Sequence, residues 1–141
     1  MENSILIHQC DPKASYLEHE EEIDVAIKNT LESGSYILGL NVNSFETEFA
    51  EYIGVNYGVG VSSGTDAIEL ALRSIGVGKS DIVATVSHTA VATVSAITRT
   101  GAQPTFVDID KESFTMSPES LKSAISINNI KAVIVVHLYG Q

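Results

Sequence analysis

Hydrophobic positions along this chain change period once, near Gly54. From Leu17 to Leu31 the apolar positions Leu17, Ile23, Ala26, Ile27, Thr30 and Leu31 recur mostly every three or four residues, which predicts a helix. Glu18 and Glu20–Glu22 crowd its first turns, where the helix dipole favours anions, and Gly34 ends it. The acidic run therefore reads as a solvated helix start and not as a metal site. A second helix is predicted from Phe45, Phe49, Tyr52 and Ile53, with Asn43 or Ser44 as N-cap and Gly54 as stop.

Beyond Gly54 the pattern becomes strand–helix alternation. "YGVGVSS" reads as a short buried strand and Asp66 to Ile75 as a helix. "DIVATVS" is a strand, followed by a helix from about Thr89 to Arg99 that Gly101 stops. "PTFVDID" is a third strand, and Ser117-Pro118 supplies an N-cap with proline at N1 for a helix to about Ile125. "KAVIVVHLYG" is an almost continuous apolar run of strand length. Such strands, alternating with helices, predict an α/β fold with a mostly parallel sheet covered on both faces. Residues 1–54 form an N-terminal helical segment and 55–141 the α/β part. The last strand stops at Gly140-Gln141, where a βα loop is due, so the chain is expected to be cut off within its fold.

Charge narrows the partners. The net charge is −10, and residues 1–51 carry 11 acids and 2 bases, against 7 acids and 6 bases in residues 52–141. No basic face is available to track a nucleic-acid backbone. Cys10 is alone, which excludes an intrachain disulfide. The opening "MENSILIHQCDPK" lacks a basic n-region and a long apolar h-region, so a cytoplasmic protein without a membrane partner is expected.

Two glycine-bearing stretches look like phosphate loops. "IGVGKS" imitates a Walker A motif, but the required first glycine is Arg73, and the stretch leaves a helix instead of entering one. It reads as an αβ turn, with Gly76 ending the helix and Gly78 making the bend. "VSSGTDAIELAL" has strand–turn–helix order, with Thr65 or Asp66 as the cap. The first-turn N–H groups and the hydroxyls of Ser63 and Thr65 form a possible anion cradle. It is no dinucleotide fingerprint, because Ser63 stands where the third glycine belongs. The residues alone leave a capped turn without a ligand equally open, and Asp66 could cap the helix and repel an anion.

A longer pattern carries a resemblance. "VSSGTDAIELALRSIGVGKSDIVATVSHTAVATVSAITRTGAQPTFVDID", then "VVHLYGQ", together with "SGSYILGLNVNSFETEFAEYIGV", resembles the N-terminal part of the DegT/DnrJ/EryC1/StrS sugar aminotransferases. These are pyridoxal-phosphate enzymes of the aspartate-aminotransferase fold. The resemblance implies the large domain of that fold (fold type I), incomplete here. It also implies amination of a keto group on a nucleotide-linked deoxysugar, with glutamate as donor, in polysaccharide synthesis. On this basis Gly64, Thr65 and Asp66 match the cofactor-phosphate turn, through the Thr65 hydroxyl and the N–H groups of Thr65 and Asp66.

"SHTAVAT" (Ser87 to Thr93) matches the segment that lays a side chain on the pyridine ring. The usual aromatic position is Ala90, which cannot stack. His88 could take over, or could simply cap a βα turn. His137 and Tyr139 end a strand at the same edge. None of Lys13, Lys28, Lys79, Lys111, Lys122 or Lys131 matches the family's Schiff-base lysine motif, and Asp66, Asp108 and Asp110 do not match its pyridine-nitrogen aspartate. The resemblance thus implies no catalytic residue within these positions and no activity for this chain alone. The reading is the N-terminal part of such an enzyme. A non-catalytic relic, half of a split enzyme, or a Rossmann-like nucleotide-binding module are its rivals.

The implied fold has a further consequence. The strand near Tyr57 to Ser62 pairs there with a late strand, so it is expected to lack a partner, with gaps among "DIVATVS", "PTFVDID" and "AVIVVHL". Unpaired edges invite association. The expected partners are therefore a second copy, as in the family's homodimers, or a chain supplying the missing strands.

Overall fold

The computed structural model describes residues 10–141, so the start of the opening stretch read above (residues 1–9) lies outside the described residues. The chain divides into two compact units, one running to Gly60 and the other Val61–Gln141. Among the described residues, no helix is long and apolar enough to cross a membrane.

In the first unit, the helix predicted over Leu17–Leu31 is two helices, α1 (Pro12–Glu18) and α2 (Glu20–Ser33). Periodicity missed the local start signal. Asp11 accepts the Ala14 N–H at 3.1 Å and Pro12 fills the first helical position. His19, at φ −124° and ψ 24°, breaks the run, and Glu20, Glu21 and Glu22 then occupy the first turn of α2. The Tyr16 hydroxyl spans the break by donating to Asp24 at 3.1 Å. Gly34 ends α2 at φ 66°, as expected. Helix α3 (Leu40–Ile53) begins four residues before Ser44, with Gly39 as N-cap. Neither Asn43 nor Ser44 caps it, because both lie inside its first turns. Gly54, at φ 80°, stops it, and its N–H reaches Ala50 O at 2.9 Å.

The segment after Gly54 is not a strand. No ladder forms over Tyr57–Ser62, and Tyr57 and Val59 are 86% and 79% exposed, so the expected buried strand is corrected to an exposed extended segment. No strand pairs with it, as the resemblance led one to expect, so its backbone groups go to water or to side chains. Here the Gly60 N–H donates to the Glu46 carboxylate at 2.6 Å.

The second unit holds a three-stranded sheet of β1 (Ile82–Val86), β2 (Gln103–Val107) and β3 (Ile130–Val133), in the order β2-β1-β3. Both pairings are parallel, with Ala84 opposite Thr105 on one side and Val133 on the other. The gaps expected among these strands do not exist. They are direct neighbours, and the expectation fails because chain order does not dictate lateral order when helical crossovers link the strands. Pro104, which cannot donate to a ladder, is placed on an edge strand. Strand β3 is shorter than its apolar run. After Val133 only the Ile134 N–H continues the pairing, to Ala84 O at 2.9 Å, before a short 3-10 turn over Leu138–Gly140.

Helices α4 (Gly64–Ser74), α5 (Val91–Arg99) and α6 (Pro118–Ile127) cover the sheet. Leu72, Val77, Val83, Ile97 and Ala102 form one core cluster, with Ile68 packed against it. Ala84, Val86, Val107 and Met116 form the other, together with Leu121 and Ala124 of α6. Successive β1 side chains thus go to opposite clusters, as a pleated strand buried on both faces requires.

Candidate functional site

The first turn of α4 is organised by serines, not by the expected Thr65 or Asp66 cap. Ser63, extended at φ −161°, is the N-cap, and its Oγ accepts the Asp66 N–H at 3.2 Å. The first intrahelical bond runs from the Ala67 N–H to Ser63 O at 3.0 Å. The Gly64 and Thr65 N–H groups precede that bond and have no partner among the described residues, and the Thr65 hydroxyl has none either. A Cβ built on Gly64 would meet nothing within 4 Å, so the approach to these donors is open.

Asp66 has its own set of partners beside these donors. Its carboxylate accepts the hydroxyls of Ser62 and Ser63 and pairs with Arg99 Nη1 at 3.0 Å. The Ser62 hydroxyl, then that of Ser63, then Arg99 hold the Asp66 carboxyl below its ordinary value. Two free N–H groups, a free hydroxyl and a compensated carboxylate at a helix N-terminus suit a phosphate. Sequence reasoning missed Arg99 and Ser62. Arg99 lies 33 residues from Asp66, and only the packing of α4 on α5 brings them together.

The rival loop at Gly78–Ser80 is closed by its own acid. The Gly78 N–H donates to Asp81 Oδ2 at 2.8 Å, and Lys131 Nζ pairs with that carboxylate at 3.0 Å. Gly76, at φ 76°, ends the helix as predicted, but the left-handed residue of the bend is Ser80, at φ 72°, and not Gly78. With the Asp81 carboxylate already on it, the Gly78 N–H is not free for an anion.

His88 follows β1 at the carboxyl edge of the sheet and is partly buried. Its ring lies 6.3 Å from that of Phe114 and 5.8 Å, edge-on, from that of Tyr139. Phe114 and Tyr139 both have positive φ, 58° and 61°. The Asp110 carboxylate accepts the N–H groups of Glu112 and Ser113 at 3.1 and 2.9 Å, which shapes the turn leading to Phe114. Ala90 is exposed and is the N-cap residue of α5, with no side-chain cap bond. His137 Nδ1 bonds the Gln141 backbone oxygen at 2.7 Å. No hydrogen bond or ring contact joins the His88 group to the Ser62–Asp66 turn among the described residues.

Three carboxylates of this unit share one pH response. Asp81, held by Lys131 and the Gly78 N–H, and Asp110, held by the Ser113 and Glu112 N–H groups, are lowered like Asp66. Folded values below the unfolded ones give stability that is complete above the unfolded carboxylate range, about pH 4, and is lost as pH falls through the folded values. Melting temperatures should therefore stay level down to about pH 4 and fall steeply below it. Asp81→Asn should flatten that acid limb; an unaltered limb in the variant would contradict the assignment.

The comparisons with known proteins agree with this architecture. The family model for the DegT/DnrJ/EryC1/StrS aminotransferase family matches residues 17–141. A dTDP-3-amino-3,4,6-trideoxy-alpha-D-glucose transaminase of Micromonospora megalomicea subsp. nigra is 48% identical over 128 residues, covering 89% of this chain and 34% of the relative. The X-ray structure of S. venezuelae DesV in complex with a ketimine intermediate superposes with a TM-score of 0.88 at 43% identity, over 93% of this chain and 35% of that one. NtdA from Bacillus subtilis with bound cofactor PMP gives a TM-score of 0.82 at 31% identity, over 88% and 28% of the two chains. The chain spans about a third of the length of the curated relatives it matches. With the parallel sheet, the turn at Ser62–Asp66 that opens α4 and the histidine just after β1 in place, this chain belongs to the DegT/DnrJ/EryC1/StrS aminotransferase family.

Proposed function

We propose that the chain is the N-terminal part of a pyridoxal-phosphate-dependent aminotransferase acting on a nucleotide-linked keto-deoxysugar, with glutamate as donor, in glycan synthesis in the cytoplasm. The observation that carries this is the pair of free N–H groups at Gly64 and Thr65, beside the free Thr65 hydroxyl, at the N-terminus of α4 in a member of this family. These groups would hold the cofactor phosphate. The Asp66 N–H, included in the expectation, is already engaged by Ser63 Oγ at 3.2 Å and serves the cap instead.

Bound pyridoxal phosphate would supply an electron sink for moving an amino group between donor and sugar. The chain's own residues bind and orient. Gly64 leaves the approach open, Thr65 donates from its backbone, and Ser63 keeps the turn in shape. His88 would lie against the pyridine ring, in the place where Ala90 offers no ring, while Phe114 and Tyr139 fix its plane. The rival dinucleotide-binding module loses its support, because Gly58 and Gly60 pack on Glu46 of α3 instead of lining a strand–helix turn.

Titration of the protein with pyridoxal phosphate, followed by absorbance and calorimetry, tests the reading. Thr65→Val removes a hydroxyl that bonds a charged group and should weaken binding about tenfold. Binding that is absent, or is indifferent to Thr65→Val, would overturn it.

A further inference from the structure

We propose that Arg99, from the last turn of α5, is a positioning residue that makes the first turn of α4 usable by an anion, by neutralising Asp66. This rests on the reading of Gly64 and Thr65 as the phosphate donors. An aspartate one residue past those donors would repel a phosphate arriving at them if its charge stood alone. The structure shows how it is answered. The Arg99 guanidinium bridges two acids of α4, with Nη1 on Asp66 at 3.0 Å and Nε on Glu69 at 2.9 Å.

Arg99 is itself held in place. Arg73 Nη2 pairs with Glu69 at 2.8 Å and donates to the Arg99 backbone oxygen at 2.6 Å. Two acids and two bases thus close a neutral set between α4 and α5. Glu69 keeps Arg73 if Arg99 is lost, whereas Asp66 has no other cation among the described residues. Asp66 keeps only the serine hydroxyls, which orient a negative charge without cancelling it. Removing Arg99 therefore exposes one specific charge beside the phosphate donors.

The test is a set of pyridoxal-phosphate titrations on the protein and its variants, with pyridoxal, which lacks the phosphate, as the control ligand. Arg99→Gln should weaken pyridoxal phosphate about tenfold, more at low salt than at high, and leave pyridoxal unchanged. Arg99→Lys, which keeps the charge, should bind nearly as the parent does. Adding Asp66→Asn to Arg99→Gln should restore affinity to within about threefold. A residue that merely staples α4 to α5 would show no such rescue, and failure of the rescue would overturn the proposal even if Arg99→Gln proved poorly folded. Unchanged affinity in Arg99→Gln, with Thr65→Val still weakened, would also overturn it while leaving the phosphate turn intact. Indifference to Thr65→Val would instead remove the turn, and this proposal with it.

Discussion

Ile97→Ala is expected to remove about 3–4 kcal/mol from the stability of the Val61–Gln141 unit. Ile97 is fully buried, and Leu72, Val77, Val83 and Ala102 surround it in one cluster. Truncation deletes three carbons from a site whose walls are strand β1, helix α4 and two turns. Those elements are tied by their own hydrogen bonds and cannot collapse onto the void, so a cavity term adds to the lost transfer energy. Domains of this size have a total stability of about 5–15 kcal/mol, so the change is a large share of it. Urea unfolding should show a lower midpoint with an unchanged slope. Ile127→Ala, on a residue 81% exposed, is the reference and should change stability by no more than about 0.5 kcal/mol. A loss at Ile97 below about 1 kcal/mol would mean that the core has been misplaced.

Gly58→Ala should be the most damaging single-methyl addition in the first unit. A Cβ at Gly58 would lie 2.6 Å from the backbone oxygen of Glu46, with that carbonyl carbon at 3.3 Å and its Cα at 3.4 Å. All three atoms belong to the middle of α3, where a shift would disturb helical hydrogen bonds, so the extended segment must move off the helix instead. That movement would also pull the Gly60 N–H from the Glu46 carboxylate. Together these should cost about 3 kcal/mol. Gly78→Ala is the matched control, since nothing lies within 4 Å of a Cβ there, and it should be close to neutral. Thermal melts of the two variants side by side decide the point. Equal melting temperatures would show that the segment does not lie on α3 in solution.

Much of the fold was legible along the chain. Val83, Ala84, Thr85 and Val86 read as a strand buried on both faces, and all four are buried between helices. Gly34, Gly54, Gly76 and Gly101 read as helix stops, and each adopts the positive φ that such a stop requires. Ser117-Pro118 read as a helix start, and Ser117 accepts the Ser120 N–H at 3.2 Å. These signals are local, set by side-chain sterics and by bonds spanning three or four residues. Helix starts were less legible. Gly39 and Ser63 are the caps in place of the expected residues, because several polar residues near each start could serve and packing chooses among them.

The sequence by itself determined the alternation of strands and helices beyond Asp66 and the family. These depend on residue type and short spacing alone. The tertiary structure decided the rest. It set the β2-β1-β3 order, with no gap where gaps were expected. It exposed the unpaired Tyr57–Ser62 segment, which had read as a buried strand. It set His88 near Phe114 and Tyr139, and joined Arg99 to Asp66 across 33 residues. Contacts of that separation leave no periodic trace in the sequence, because they arise when helices pack and loops close, and no local rule encodes which partners will then meet.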